Sequence, residues 1–238
     1  MIGIIGAMLS EVDGLKGEMD LERIDCFSCI DFYVGQAYGA NVVVAACGVG
    51  KVNSAICAQV MIYKYNPEFI INIGVAGSLS SKIEVLDLVV ADSVVQHDVD
   101  TSAVGDPVGM ISGINLTYIP CDAGEMAIGT ISKNSEILRI HHGTIASGDQ
   151  YIVDKKKKRD IASRFNAVAV DMESGSIGQV CHINQVRFCA LRAISDRGDA
   201  AEYLEFLADA VERALIALRI LLSELSNTAS KSEQGSER

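Results

Sequence analysis

At 238 residues, 49% of them apolar and 21% charged, the chain has the make-up of a globular protein that buries a large sheet, not of a disordered one. Its net charge of −11 leaves no basic face for a phosphate backbone, which excludes nucleic acid as the expected partner. No apolar run approaches the ~20 residues of a membrane helix, and seven cysteines scattered through apolar segments fit a reducing compartment, so a cytoplasmic protein is expected.

Residues 2–6, IGIIG, form the continuous apolar run of a strand buried on both faces. No basic segment precedes it, so it reads as a first strand and not as a signal peptide. A helix over 11–19 follows at once and puts Glu11 at the strand-to-helix turn, where the helix dipole favours a carboxylate. Residues 23–47 alternate and break at Gly35 and at 39–41, predicting two or three antiparallel strands, the last over 42–47. Cys26 and Cys29 form a C-x-x-C with no second pair at zinc-ribbon spacing, so a reduced hairpin is expected there. Gly48-Val49-Gly50-Lys51 lacks the G-x-x-x-x-G-K-[ST] spacing of a phosphate loop. It reads as a glycine turn capping a helix over 52–64, with its backbone amides free to face a ligand.

A buried strand over 69–73 ends in Gly74-Val75-Ala76-Gly77-Ser78, small residues that let a flat ligand approach the main chain. The strand over 86–95 leads into Gln96-His97-Asp98-Val99-Asp100 and a long Gly- and Ser-containing segment to 115. His97 and Asp100 suggest a metal pair, but alternate residues of an extended segment point opposite ways, and no metal site is expected. A loop of this length meets either a pocket or another subunit. Strand 116–119, helix 121–138 and strand 140–146 follow, the last ending in Ser147-Gly148-Asp149-Gln150-Tyr151-Ile152. The basic run 155–159 lies between Asp154 and Asp160 and reads as a solvated helix face.

Most of the charge available for chemistry sits in 167–199. A strand over 167–170 delivers Asp171 and Glu173, a small-residue helix spans 173–183, and a strand over 186–193 delivers Arg192 and Asp196. Ligands bind at the carboxyl ends of strands in open parallel sheets, so these side chains form an expected pocket floor. The last helix, 202–225, has the apolar spacing of an element lying on a sheet, and the polar segment 226–238 is an expected disordered tail. Strands alternate with helices and no linker interrupts them. The prediction is a single three-layer α/β/α domain with a mixed central sheet over residues 1–225.

Five motifs then occur in one order at strand ends: GIIGAM followed by Glu11, INIGVAGSL (71–79), SGDQYI (147–152), VDMES (170–174) and RAISD (192–196). Together they resemble the bacterial 5′-methylthioadenosine/S-adenosylhomocysteine nucleosidases of the nucleoside phosphorylase superfamily, from residue 2 to about 225. The resemblance implies hydrolysis of the bond between adenine N9 and ribose C1′, with no cofactor. It implies Asp196 as the acid that protonates adenine N7, Glu11 as the residue that positions or activates water, and Glu173 as the partner of the ribose hydroxyls. Met172 would pack beneath the sugar, with Arg192 near the water and ribose. Tyr151 would stack on adenine, the Ile152 backbone would read its edge, and Val49, Val75, Ala76 and Gly77 would line the pocket. Tyr203 would be the aromatic of the lid. The 97–112 loop, with Val104 and Met110, would reach a partner's pocket, which implies a homodimer.

Three departures stand out: Val75 where the family carries Ser or Thr, a short segment after Asp196 that carries Arg197, and a 97–112 loop less aromatic than usual. Phosphorolysis needs a dianion site, normally built from arginines and main-chain amides. The turns at Gly48 and Gly74 hold no arginine and Glu11 would repel phosphate, so hydrolysis is favoured. Action on another purine nucleoside, or a non-catalytic nucleoside-binding module, stay as alternatives, and the 5′ substituent is left open. A dehydrogenase is disfavoured because GIIGAM lacks G-x-G-x-x-G.

Overall fold

The computed structural model describes residues 1–135 and 137–235, the side chains of Glu125 and of 228–235 excepted. The chain opens with β1 (Ile2–Gly6) and α1 (Leu9–Lys16), then the hairpin β2 (Asp20–Phe27) and β3 (Ile30–Ala37), and β4 (Ala40–Ala46). Next come α2 (Lys51–Tyr65), β5 (Phe69–Ser78), β6 (Leu88–Gln96), the short β7 (Ile119–Pro120) and α3 (Gly124–Asn134). The final part holds β8 (Ile140–Ser147), α4 (Lys155–Phe165), β9 (Ala167–Asp171), α5 (Ser174–Asn184), β10 (Arg187–Asp196) and α6 (Ala200–Gly235).

The strand order is β10-β6-β8-β9-β5-β1-β4-β3-β2, with β10 also paired to β5. β1 lies parallel between β4 and β5, and β5 runs parallel to β10. β10 is antiparallel to β6, and the end of β9 folds back antiparallel on the end of β5, Gly77 opposite Val170. The mixed sheet is therefore as expected, and it has a further property: β5, β10, β6, β8 and β9 close into a ring.

Alternation along the strands divides the core between the two faces, as the two-residue period of a strand requires. Ile4, Val42, Val44, Ile71 and Ile73 join one apolar cluster with residues of α1, α3 and α6. Ile5, Val43, Ala45 and Ile70 join the other with residues of α2 and α5. Helices thus cover both faces. No helix among the described residues is long and apolar enough to cross a membrane.

Some boundaries move. α1 begins before Glu11, so that this residue is the third of the first turn and its carboxylate caps the helix. β5 continues past residue 73 through the small-residue segment to Ser78. The strand expected at 116–119 shortens to β7, whose Ile119 and Pro120 pair with Val94 and Ser93 of β6. The helix expected over 121–138 contracts to Gly124–Asn134. α6 overruns residue 225 and reaches Gly235, with Ser226 Oγ donating to Gly39 O. Residues 236–238 of the polar segment lie outside the described residues.

Candidate active site

Glu11 is buried and tied on both oxygens. Oε2 accepts the N–H groups of Ala7 at 2.7 Å and Met8 at 2.9 Å, and Oε1 accepts Val75 N–H at 3.1 Å. The last bond joins α1 to β5, across 64 residues of sequence. A Cβ at Gly74 would lie 2.4 Å from Glu11 Oε1 and 3.0 Å from Arg192 Nη1, and the φ there is +154°. Only glycine admits the carboxylate at this distance.

Behind this wall a cation is buried with its partners. Arg192, 1% exposed, donates from Nε to Asp171 Oδ2 at 2.9 Å and from Nη2 to Asn72 Oδ1 at 2.6 Å. Asp171 also accepts Ser147 Oγ and Ser174 Oγ, while Asn72 Nδ2 donates to Ile5 O at 2.8 Å. Burial works against the guanidinium charge, but Asp171, Glu11 and Glu173 hold its pKa above the ordinary value. A buried charge survives only with this kind of pairing. Arg192 Nη1 has no hydrogen-bond partner among the described residues.

Glu173, at the start of α5, accepts Gly50 N–H on Oε1 at 2.9 Å, and its Oε2 lies 3.9 Å from Arg192 Nη2. Burial first, then the charge of Asp171, pushes its pKa up to about 7; Arg192 and the Gly50 amide oppose this and Glu11 adds to it. Asp196, at the end of β10, is 2% exposed, accepts Ser195 Oγ on Oδ2 at 2.9 Å and accepts Gly198 N–H on Oδ1 at 2.7 Å.

Glu11, Glu173 and Asp196, together with Asp171, line one cavity of about 610 Å³, its open mouth included. That volume suits a small organic ligand. Tyr151 and Tyr203 stand edge to face at its mouth, ring centres 5.6 Å apart, and Tyr203 Oη donates to Met8 Sδ at 3.7 Å. Arg197 fastens the segment beside Tyr203: its Nη2 donates to Glu202 Oε1 at 2.8 Å and its Nη1 to Glu84 Oε2 at 3.1 Å.

Residues 1–223 match the family model of the phosphorylase superfamily. A 5′-methylthioadenosine/S-adenosylhomocysteine nucleosidase of Exiguobacterium sp. is 38% identical over 208 residues, 86% of this chain and 88% of the relative. The chain belongs to this nucleosidase family. Among solved structures, the nucleosidase of that name from Helicobacter pylori, bound to butyl-thio-DADMe-Immucillin-A, superposes with a TM-score of 0.89 at 32% identity, covering 94% of this chain and 97% of its own. A futalosine hydrolase of Helicobacter pylori superposes with a TM-score of 0.87 at 31% identity, covering 94% and 97%.

The structure gathers nearly all the residues that the family resemblance singled out. Besides Glu11, Glu173 and Asp196, Met172, Tyr151, Ile152 and Tyr203 face the cavity. Val49, Val75, Ala76 and Gly77 form the wall between them. Three stand apart. Arg192 lies behind Asp171 and Glu173 and does not line the cavity, and Val104, 82% exposed, and Met110 are not on the cavity of their own chain. Of His97 and Asp100, the first packs on Gly148 and the second accepts the Ser102 N–H on Oδ1 at 2.9 Å. Asn72, Ser174 and Ser195 carried no expectation. Asn72 left a trace as the one polar residue within the apolar run of β5 from 69 to 73, where an amide needs a buried partner.

Proposed function

We propose that the chain hydrolyses the N-glycosidic bond of 5′-methylthioadenosine and S-adenosylhomocysteine, and of 5′-deoxyadenosine, releasing adenine. The observation that carries this reading is the convergence of three differently held carboxylates on one cavity with an aromatic pair at its mouth. Cleavage of the bond builds positive charge on the sugar and negative charge on the departing purine. Asp196 gives a proton to adenine N7, water adds to ribose C1′, and Glu11 accepts the proton that the water loses. Its three amide bonds hold Glu11 in place for that step. Glu173 receives the ribose hydroxyls over Met172, and Arg192 acts from behind by balancing the charge of Asp171 and Glu173. Tyr151 stacks on adenine, whose edge meets the backbone of Ile152. The Val75 main chain, not a side-chain hydroxyl, reaches Glu11, so the missing Ser or Thr leaves this carboxylate held.

Among the described residues no arginine lines the cavity, which favours water over phosphate as the nucleophile. The second reading, hydrolysis of another purine nucleoside, is supported by the nearly equal likeness to the futalosine hydrolase structure. Adenine release from methylthioadenosine, with and without phosphate, followed by chromatography of the sugar, tests both. Free adenine with an unphosphorylated thio-sugar at a phosphate-independent rate is expected. A strict phosphate requirement would replace hydrolysis by phosphorolysis, and release from other purine nucleosides alone would select the second reading.

The working form is a cytoplasmic homodimer, which suits seven free thiols. Val52, Ile56 and Tyr63 share one face of α2 and are 69%, 41% and 80% exposed; with Val104 they form apolar surface that a second copy would cover. Sedimentation at micromolar concentration is expected to return a dimer, and a monomer at every concentration would overturn that assignment.

A further inference from the structure

Three loops meet beside the site in a closed ring of hydrogen bonds. Lys51 N–H donates to Asp149 Oδ1 at 2.7 Å, Asp149 N–H donates to Asp98 Oδ2 at 3.0 Å, and Lys51 Nζ returns to Asp98 Oδ1 at 2.6 Å. Nζ also reaches Gln96 Oε1 at 3.3 Å. The Lys51 and Asp98 side chains are 18% and 21% exposed, so water screens the pair only in part. Two of the members adjoin segments that line the cavity, and the third opens a long loop. Gly50, directly before Lys51, donates the amide that Glu173 accepts. Asp149 precedes Tyr151 by two residues, and Asp98 begins the long loop that carries Val104. A Cβ at Gly50, φ +99°, would lie 2.9 Å from Asp149 Oδ1, so turn and ring are closed together.

We infer that Lys51 and Asp98 are positioning residues for Glu173 and Tyr151: their ion pair keeps the Gly50 amide on the ribose carboxylate and the 149–152 segment at the purine end of the cavity. Asp149 accepts the main-chain N–H of Lys51 and Asp98 accepts its Nζ, so Lys51 is the residue that joins the two segments. Without its charge the segments separate, and the Gly50 amide leaves Glu173. The groups that face Glu173 are then Asp171 from β9 and Glu11 from α1, which raise its pKa, with Arg192 from β10 opposing them. Tyr203 from α6 feels the charge of Glu173 from across the cavity. Loss of a donor to the ionised form raises a carboxylate pKa. The catalytic consequence rests on the nucleosidase reading, in which ionised Glu173 accepts the ribose hydroxyls.

The test compares wild type, Lys51→Met, Lys51→Arg and Asp98→Asn by kcat and KM for methylthioadenosine across pH, and by the crystal structure of Lys51→Met. Lys51→Met is expected to lose up to about 100-fold in kcat/KM, the scale of a misplaced reacting group. The loss is expected to be larger at acid than at alkaline pH, with the acid limb of the profile moved upward. Asp98→Asn is expected to move it the same way, Lys51→Arg to recover most of the rate, and the combined variant Lys51→Met/Asp98→Asn to lose no more than the worse single. A loss uniform across pH with an unmoved limb would show a merely structural role and overturn the inference. So would a Lys51→Met structure with Gly50 N–H still on Glu173 Oε1, and this readout needs no activity. A wild-type chain that releases no adenine would instead defeat the nucleosidase reading, leaving the crystal structure to decide the ring.

Discussion

Asp196→Asn is expected to lower adenine release by about 100- to 10,000-fold while leaving the protein folded, since proton transfer to a leaving group commonly contributes that much. The substitution is nearly isosteric. The amide oxygen can keep Gly198 N–H, and Ser195 Oγ, which now donates to Asp196, can rotate to accept from the new NH₂ group. Stability is therefore expected to change by no more than about 1 kcal/mol, the usual size of one exchanged hydrogen bond. What is lost is the ability to deliver a proton to adenine N7. Single-turnover adenine release and urea unfolding, measured on the same preparation, separate the two effects. A variant that kept a tenth or more of the wild-type rate would show that another group protonates the purine.

Asp171→Ala is expected to destabilise the fold by about 3–5 kcal/mol, the cost of stranding one member of a buried ion pair. Arg192 is 1% exposed and spends its Nε on Asp171, while the same carboxylate accepts Ser147 Oγ, Ser174 Oγ and the Ser174 N–H. Glu173 cannot take over easily, since its Oε2 is 3.9 Å from Nη2 and its other oxygen is engaged by Gly50. Asp171→Asn keeps an acceptor and the volume but removes the charge, so a smaller loss is expected there. Urea midpoints for both variants give the comparison. A loss below about 1 kcal/mol for Asp171→Ala would mean that Asn72 and Glu173 satisfy the guanidinium alone, a cost in the range of an ordinary hydrogen bond.

Much of this architecture is written in local pattern. Continuous apolar runs such as 2–6 and 69–73 announce strands buried on both faces, and the clusters on the two sides of the sheet divide those residues by alternate positions. The charged residues at strand ends mark the rim where the cavity lies, and five short motifs in register carry the family. These signals survive because side-chain periodicity depends only on neighbours a few residues away.

The chain alone therefore determined the order of the elements, the buried strands and the identity of the three carboxylates that meet at the site. Tertiary structure decided what each of them is bonded to. Arg192 meets Asn72 across 120 residues, Glu173 meets Gly50 across 123, and Lys51 meets Asp98 across 47. The closure of the sheet into a ring likewise depends on β10 pairing with β5 as well as β6. The physical reason is the same in each case. Burying apolar surface is non-directional and can be read residue by residue, whereas a hydrogen-bond partner is chosen by the register of distant strands and loops, which exists only once they have packed.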